Sequence, residues 1–147
     1  MSVAANVFRR ERLIRFSDCD PAGIVFYPQY FIMFNGLVED WFNDGLQLGY
    51  RRLVIERRIG LPTVSLQADF VAPSKMGDTV ELTLAIERMG ARSITLELRC
   101  EGAGQLRMTM RQVLVITSLE THRSIDMPAD VREALLHFSP PSPATGE

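Results

Sequence analysis

Between residues 64 and 116, apolar and polar side chains alternate with period two through four successive segments, a pattern that few folds accommodate. Val64, Leu66, Ala68 and Phe70 alternate with Ser65, Gln67 and Asp69, and Val80, Leu82, Leu84 and Ile86 with Glu81, Thr83 and Glu87. Ile94, Leu96, Leu98 and Cys100 alternate with Ser93, Thr95, Glu97 and Arg99. Leu106, Met108, Met110, Leu114 and Ile116 then keep one phase. Successive side chains of a strand point to opposite faces, so each segment buries one face and wets the other, as in an antiparallel sheet. Gly77-Asp78, Gly90 and Gly102-Ala103-Gly104 supply the turns between strands.

The first third of the chain reads differently. Val7 to Phe16 is dense in β-formers and charges and predicts a first strand. Asp, Pro and Gly crowd the segment Ser17-Asp18-Cys19-Asp20-Pro21-Ala22-Gly23, which marks a turn. Pro28 suits the first turn of a helix, and the spacing predicts a helix from Pro28 to Asn43, ending before Gly45. At 100° per residue Tyr30, Phe31, Phe34, Leu37, Val38, Trp41 and Phe42 share one broad face. That face is wider than a surface helix needs, so a sheet is expected to wrap around it; a plain core helix would carry the same pattern. Strand, long helix, then four long strands make an α+β plan. Pro128 to Phe138 can form a short closing helix.

One domain over residues 1–138 is the economical division, followed by a tail, 139–147, too rich in Pro and small residues to pack. An apolar fraction of 46% and a charged fraction of 23% place the chain among ordinary globular proteins. A net charge of −2 gives no reason to expect nucleic acid or a membrane surface as partner. The start, Met1-Ser2-Val3-Ala4-Ala5-Asn6, carries neither a basic leader nor a sustained apolar core, and the two cysteines offer no framework of bridges. Both features fit a cytoplasmic protein.

Among chemistries, the chain has no G-x-S-x-G elbow, Gly-rich phosphate loop or H-E-x-x-H. His122 and His137 lie far along the chain from the Asp-rich turn, and no Cys, His and carboxylate cluster has metal-ligand spacing. Neither a metal nor a redox cofactor is implied. Cys19 has carboxylates on both sides, which work against a thiolate, so a small buried filler is expected there. Cys100 continues an apolar strand face, and the pairs Arg9-Arg10, Arg51-Arg52 and Arg57-Arg58 read as solvated charge. The run Asp18 to Pro28 remains: two carboxylates, a turn and an emerging helix. A helix N-terminus offers unpaired N–H groups and partial positive charge, a setting that polarises a carbonyl and holds an oxyanion. A carboxylate beside it can attack the carbonyl carbon or activate water. On composition alone, the simpler account is that Asp18 and Asp20 cap a turn and the helix.

The run Phe16-Ser17-Asp18-Cys19-Asp20-Pro21-Ala22-Gly23-Ile24-Val25-Phe26-Tyr27-Pro28-Gln29-Tyr30 resembles the motif of the 4-hydroxybenzoyl-CoA thioesterases. More broadly it is similar to hotdog-fold acyl-CoA thioesterases with the pattern D-x-D/T-x-x-G-x-V-x-Y/H. The resemblance implies a hotdog fold, an antiparallel sheet wrapped around one long central helix, and hydrolysis of an acyl-CoA to acid and CoA. It assigns catalysis to Asp20 and binding of the thioester carbonyl to the backbone N–H of Tyr27. Gly90-Ala91-Arg92-Ser93 falls where the family binds CoA, so Arg92 and Ser93 carry over as substrate-binding residues, although the family is more basic there. Asn35 stands where the 4-hydroxybenzoyl enzymes place a carboxylate near the ring hydroxyl, which leaves other aromatic or medium-length acyl groups open. The family also implies a homo-oligomer, dimer or tetramer, with sites between subunits. Two rivals stand beside this reading: a hotdog domain that only binds acyl-CoA or an acyl carrier, and a hydratase or dehydratase. The latter pairs an acid with a histidine, for which neither His122 nor His137 lies in a recognisable motif.

Overall fold

The computed structural model describes residues 6–140. The chain runs through β1 (Val7–Leu13), a single 3-10 turn (Phe16–Asp18), α1 (Tyr27–Asp40) and two π-helical turns (Trp41–Gly45, Arg52–Glu56). It continues through β2 (Ile59–Gly60), β3 (Thr63–Phe70), β4 (Thr79–Met89), β5 (Ser93–Gly102), β6 (Gln105–Val115), β7 (Thr117–Ser118) and α2 (Ala129–Phe138). Five strands form one sheet in the order β1-β4-β5-β6-β3, every pair antiparallel; β2 and β7 make a small separate ladder. Part of the expected tail, 141–147, lies outside the described residues.

The period-two pattern buries as expected on the central strands. Val80, Leu82 and Leu84 of β4 and Ile94, Leu96, Leu98 and Cys100 of β5 are buried, and they meet Phe34, Leu37, Val38, Trp41 and Phe42 from α1 and the turn after it. Full burial of each such side chain stabilises by roughly 1.5–3 kcal/mol, so this helix-on-sheet layer is the main source of stability. After Asp40 the helix widens, with Leu46 N–H bonded to Trp41 O at 2.7 Å, and both Trp41 and Phe42 remain fully buried.

The structure departs from the sequence expectations at three places. The first strand stops at Leu13, short of the predicted Phe16. Ile14 turns inward and bonds to the β3–β4 connection, donating to Asp78 O at 2.8 Å and accepting from Gly77 N–H at 2.8 Å. The phase read for β6 also fails at its start. A bulge between Cys100 and Glu101 shifts the register, so Arg107 is buried while Leu106 is only half-buried. Finally, β3 lies at the sheet edge, where α1 covers it only in part, and its expected inner residues Val64, Leu66 and Phe70 are exposed.

Candidate active site

The segment from Ser17 to Phe26 doubles back on itself, and its two aspartates take different positions. Asp18 is buried; its carboxylate accepts from Arg12 Nη2 at 3.0 Å and from Arg15 N–H at 2.9 Å. Its carbonyl accepts the Phe26 N–H at 2.9 Å, which ties the two arms of the turn together. Asp20 is half-buried at the tip. Its N–H donates to Ile24 O at 3.0 Å, its carbonyl accepts Gly23 N–H at 2.9 Å, and its Oδ1 accepts Ala22 N–H at 2.9 Å. Gly23 sits at φ +78°, where an L side chain would be strained, and that conformation closes the turn. Oδ2 of Asp20 accepts no hydrogen bond among the described residues.

Pairing of Cys19 with Val25 carries the returning arm straight into α1. The residue before the helix, Phe26, is extended and provides no side-chain cap, Pro28 has no N–H, and Gln29 N–H is taken by Phe26 O at 2.8 Å. The Tyr27 N–H therefore opens the helix at its positive end with no capping side chain. One hairpin thus carries, seven residues apart, a carboxylate with an unengaged oxygen and an uncapped helix N-terminus, two groups that together can polarise a carbonyl and attack or hydrate it. An aromatic wall adjoins it: Tyr27 stands edge-to-face with Phe26, Phe31 and Phe70, ring centres 5.6, 6.3 and 6.0 Å away.

The other expected site residues lie elsewhere. Asn35 is two helical turns beyond Tyr27, about 12 Å along the axis. It lines a groove of about 370 Å³ with Phe31, Ile32, Thr63, Leu66, Met110 and Gln112. Ser93 and Arg92 belong to the β4–β5 turn, closed by a Gly90 N–H to Ser93 O bond of 2.8 Å. Arg92 is exposed but occupied, donating to Asp126 Oδ1 at 2.8 Å and Ser124 Oγ at 3.4 Å. Cys19 is half-buried, its thiol donating to Arg15 O at 3.4 Å. Desolvation first, then the Asp18 and Asp20 carboxylates, push its pKa up, away from thiolate chemistry. His122 and His137 are both exposed, in the loop after β7 and in the last turn of α2.

Gln112 escaped the sequence reading. It is buried on the inner phase of β6, donates from Nε2 to Thr63 Oγ1 at 2.8 Å, and leaves Oε1 without a partner beside the Asn35 groove. Its signal was present: a polar residue fills the one gap in the run Met108, Met110, Leu114, Ile116.

Comparison with known proteins identifies the family. The sequence profile of the thioesterase-like superfamily matches residues 14–135. The 4-hydroxybenzoyl-CoA thioesterase of Pseudomonas sp. strain CBS-3 is 30% identical over 139 residues, which cover 89% of this chain and 98% of that protein. A 1,4-dihydroxy-2-naphthoyl-CoA hydrolase of Synechocystis sp. is 26% identical over 106 residues, covering 72% of this chain and 76% of the relative. The solved structure of the Pseudomonas enzyme superposes with a TM-score of 0.79 at 30% identity, covering 88% of this chain and 99% of that one. An aspartate-to-asparagine variant of the 4-hydroxybenzoyl-CoA thioesterase, complexed with 4-hydroxybenzoyl-CoA, gives 0.79 at 29% identity, with coverages of 89% and 99%.

Proposed function

This chain belongs to the thioesterase-like superfamily, with a hotdog fold, and is a thioester hydrolase; from that premise we propose that it cleaves an aromatic acyl-CoA to the free acid and CoA, using Asp20. The observation that carries this reading is the pairing, within one hairpin, of the Asp20 carboxylate and the uncapped start of α1. The thioester oxygen accepts the Tyr27 N–H, and the helix end stabilises the negative charge that builds on it. Asp20 then either attacks the carbonyl carbon, expelling CoA thiolate and leaving a mixed anhydride for water to open, or takes a proton from the attacking water. The aromatic class rests on the wall of Tyr27, Phe31 and Phe70 and on the hydroxylated aroyl groups named for the relatives above.

Asn35 contacts the far end of the acyl group, and Arg92 with Ser93 meets the CoA arm. The offset of Asn35 from Tyr27 exceeds what one aromatic ring spans, which supports sites shared between copies of the chain in a dimer or tetramer. A single domain over residues 1–138 carries the activity, and the two unpaired cysteines fit a cytoplasmic setting. Among the described residues no helix is long and apolar enough to cross a membrane.

Incubation with a panel of benzoyl-, hydroxybenzoyl-, naphthoyl- and medium-chain acyl-CoAs, with detection of free thiol, tests the reading. Release from the aromatic members at rates well above the aliphatic ones is expected. Binding of acyl-CoA without thiol release would instead favour a domain that only binds acyl-CoA.

A further inference from the structure

At the start of β6 an arginine is buried among the core strands. Arg107 is 6% exposed, and its guanidinium forks over the loop that joins β3 to β4. Nη1 donates to Asp78 Oδ2 at 2.9 Å, to Ser74 Oγ at 3.2 Å and to Pro73 O at 3.2 Å, while Nη2 donates to Gly102 O at 3.1 Å. Its own carbonyl accepts the N–H groups of Val71 at 2.8 Å and Ala72 at 3.1 Å. One residue thus holds both ends of the segment 71–78. Ser74, fully buried, sits at the centre of this cluster and also accepts from the Tyr30 hydroxyl at 2.9 Å.

That loop grips the Asp20 turn. Ser74 O accepts the Val25 N–H at 2.9 Å, Met76 N–H donates to Gly23 O at 3.0 Å, and Lys75 pairs with Ile24. Gly23 and Ile24 are the residues whose backbone bonds hold Asp20 from the other side. Tyr30 lies one turn below Tyr27 on α1, so the helix, through the Ser74 hydroxyl, and the turn, through the Ser74 carbonyl, are referenced to the same buried residue. Burial of an ion pair contributes little net stability and is better attested as a device that selects one geometry. We propose that Arg107 is a positioning residue: acting through Ser74, it sets the Gly23–Val25 arm and thereby fixes Asp20 against the N-terminus of α1. The inference rests on Asp20 as the reacting carboxylate.

Arg107→Lys keeps the charge and loses the fork, so several of the four contacts cannot be made together. Reaction geometry is steep in distance, and kcat is expected to fall about tenfold to a hundredfold, with KM changed less than about threefold. Ser74→Ala removes only the shared hydroxyl, leaves the backbone carbonyl to Val25, and should show the same split to a smaller degree. A positioning role is separated from a structural one by repeating both substitutions in Asp20→Asn. Where the reacting carboxylate is absent its placement no longer matters, and the added loss in residual thiol release should shrink to within about twofold. An equal loss in both backgrounds, or a folded Arg107→Lys with the wild-type kcat, would overturn the proposal. If Arg107→Lys does not fold, Ser74→Ala decides it on the same criterion. Asp20→Asn with the wild-type rate would remove the premise, and it is read from the single variant alone.

Discussion

Asp18 and Asp20 are separated by one residue and meet different partners. Asp18 is buried between Arg12 and the Arg15 N–H, whereas Asp20 keeps one oxygen unengaged at the tip of the turn. Asn can still accept hydrogen bonds and is favoured in turns, so Asp20→Asn should fold with stability changed by about 1 kcal/mol or less. An amide is neither a nucleophile nor a base near neutral pH, and kcat should fall about a hundredfold to ten-thousandfold. Asp18→Asn should reverse the pattern: a lower Tm, from weakening a charged hydrogen bond of about 1.5–3 kcal/mol, with kcat within tenfold of wild type. Melting curves and kcat on both variants check this, and a dead but stable Asp18→Asn would mean that the motif is read two residues out of place. In the Asn35 groove, Gln112→Leu removes the unpartnered Oε1 and should lower the preference for hydroxybenzoyl- over benzoyl-CoA about tenfold if the acyl group binds there. Asn35→Asp should also move that ratio. Unchanged ratios of kcat/KM in both would place the acyl group elsewhere.

At the scale of elements, the start of α1 gives the most direct test of the oxyanion site, because its proposed donor belongs to the backbone. Tyr27→Phe keeps that N–H and should leave kcat within about threefold, whereas Tyr27→Pro deletes it and should cost about a hundredfold or more. Proline is tolerated at a helix start, and Phe26, at φ −71° and ψ 124°, already has the extended conformation a proline asks of its predecessor. Wild-type kcat in a folded Tyr27→Pro would remove this N–H from the mechanism. The β3–β4 loop carries a pH dependence of its own. The Asp78 carboxyl is held below its usual value of 3.8, first by the Lys75 N–H and then by Arg107. A depressed folded pKa contributes stability that is present above the unfolded value and disappears as pH falls through the folded one. Tm should therefore drop below about pH 4, and Asp78→Asn should flatten that slope; an unchanged slope would exclude Asp78 as a source. Much of this architecture was legible in the sequence, because a buried sheet face and a buried helix stripe must write their periods into the chain. The turn was legible too, in its Asp, Pro and Gly. Arg107 was not: an arginine alternating with Leu106 and Met108 looks like surface charge until the bulge in the β5–β6 ladder turns it inward. The separation of Asn35 from Tyr27 was legible as well, since eight residues of the expected helix already put them about 12 Å apart.

For the molecule as a whole, the unresolved term is the edge strand β3. Val64 is 61% exposed, Phe70 50% and Leu66 40%, and Ile32 on the adjoining face of α1 is 62% exposed. An apolar strand edge of this length, with unpaired backbone groups, invites pairing with another chain unless something covers it. A second copy would cover it, bring a second helix beside the Asn35 groove, and set that groove against the Asp20 turn of the partner. The species in solution should then be at least twice the 16.6 kDa of one chain. Lysines at Val64 and Leu66, which protect edges in natural sheets, should release a folded chain with kcat reduced at least a hundredfold. Shared sites make a sharper prediction than mass. Asp20→Asn and the groove-filling variant Asn35→Trp should each be nearly inactive alone. Co-expressed in equal amounts, half of the dimers are hybrids, and each hybrid holds one site with an intact Asp20 from one copy and an intact Asn35 from the other. The mixture should recover about a quarter of the wild-type rate, as isologous two-fold pairing requires. Activity no higher than the mean of the two separate variants would mean that each chain builds its site alone, and so would an active monomer of 16.6 kDa in light scattering.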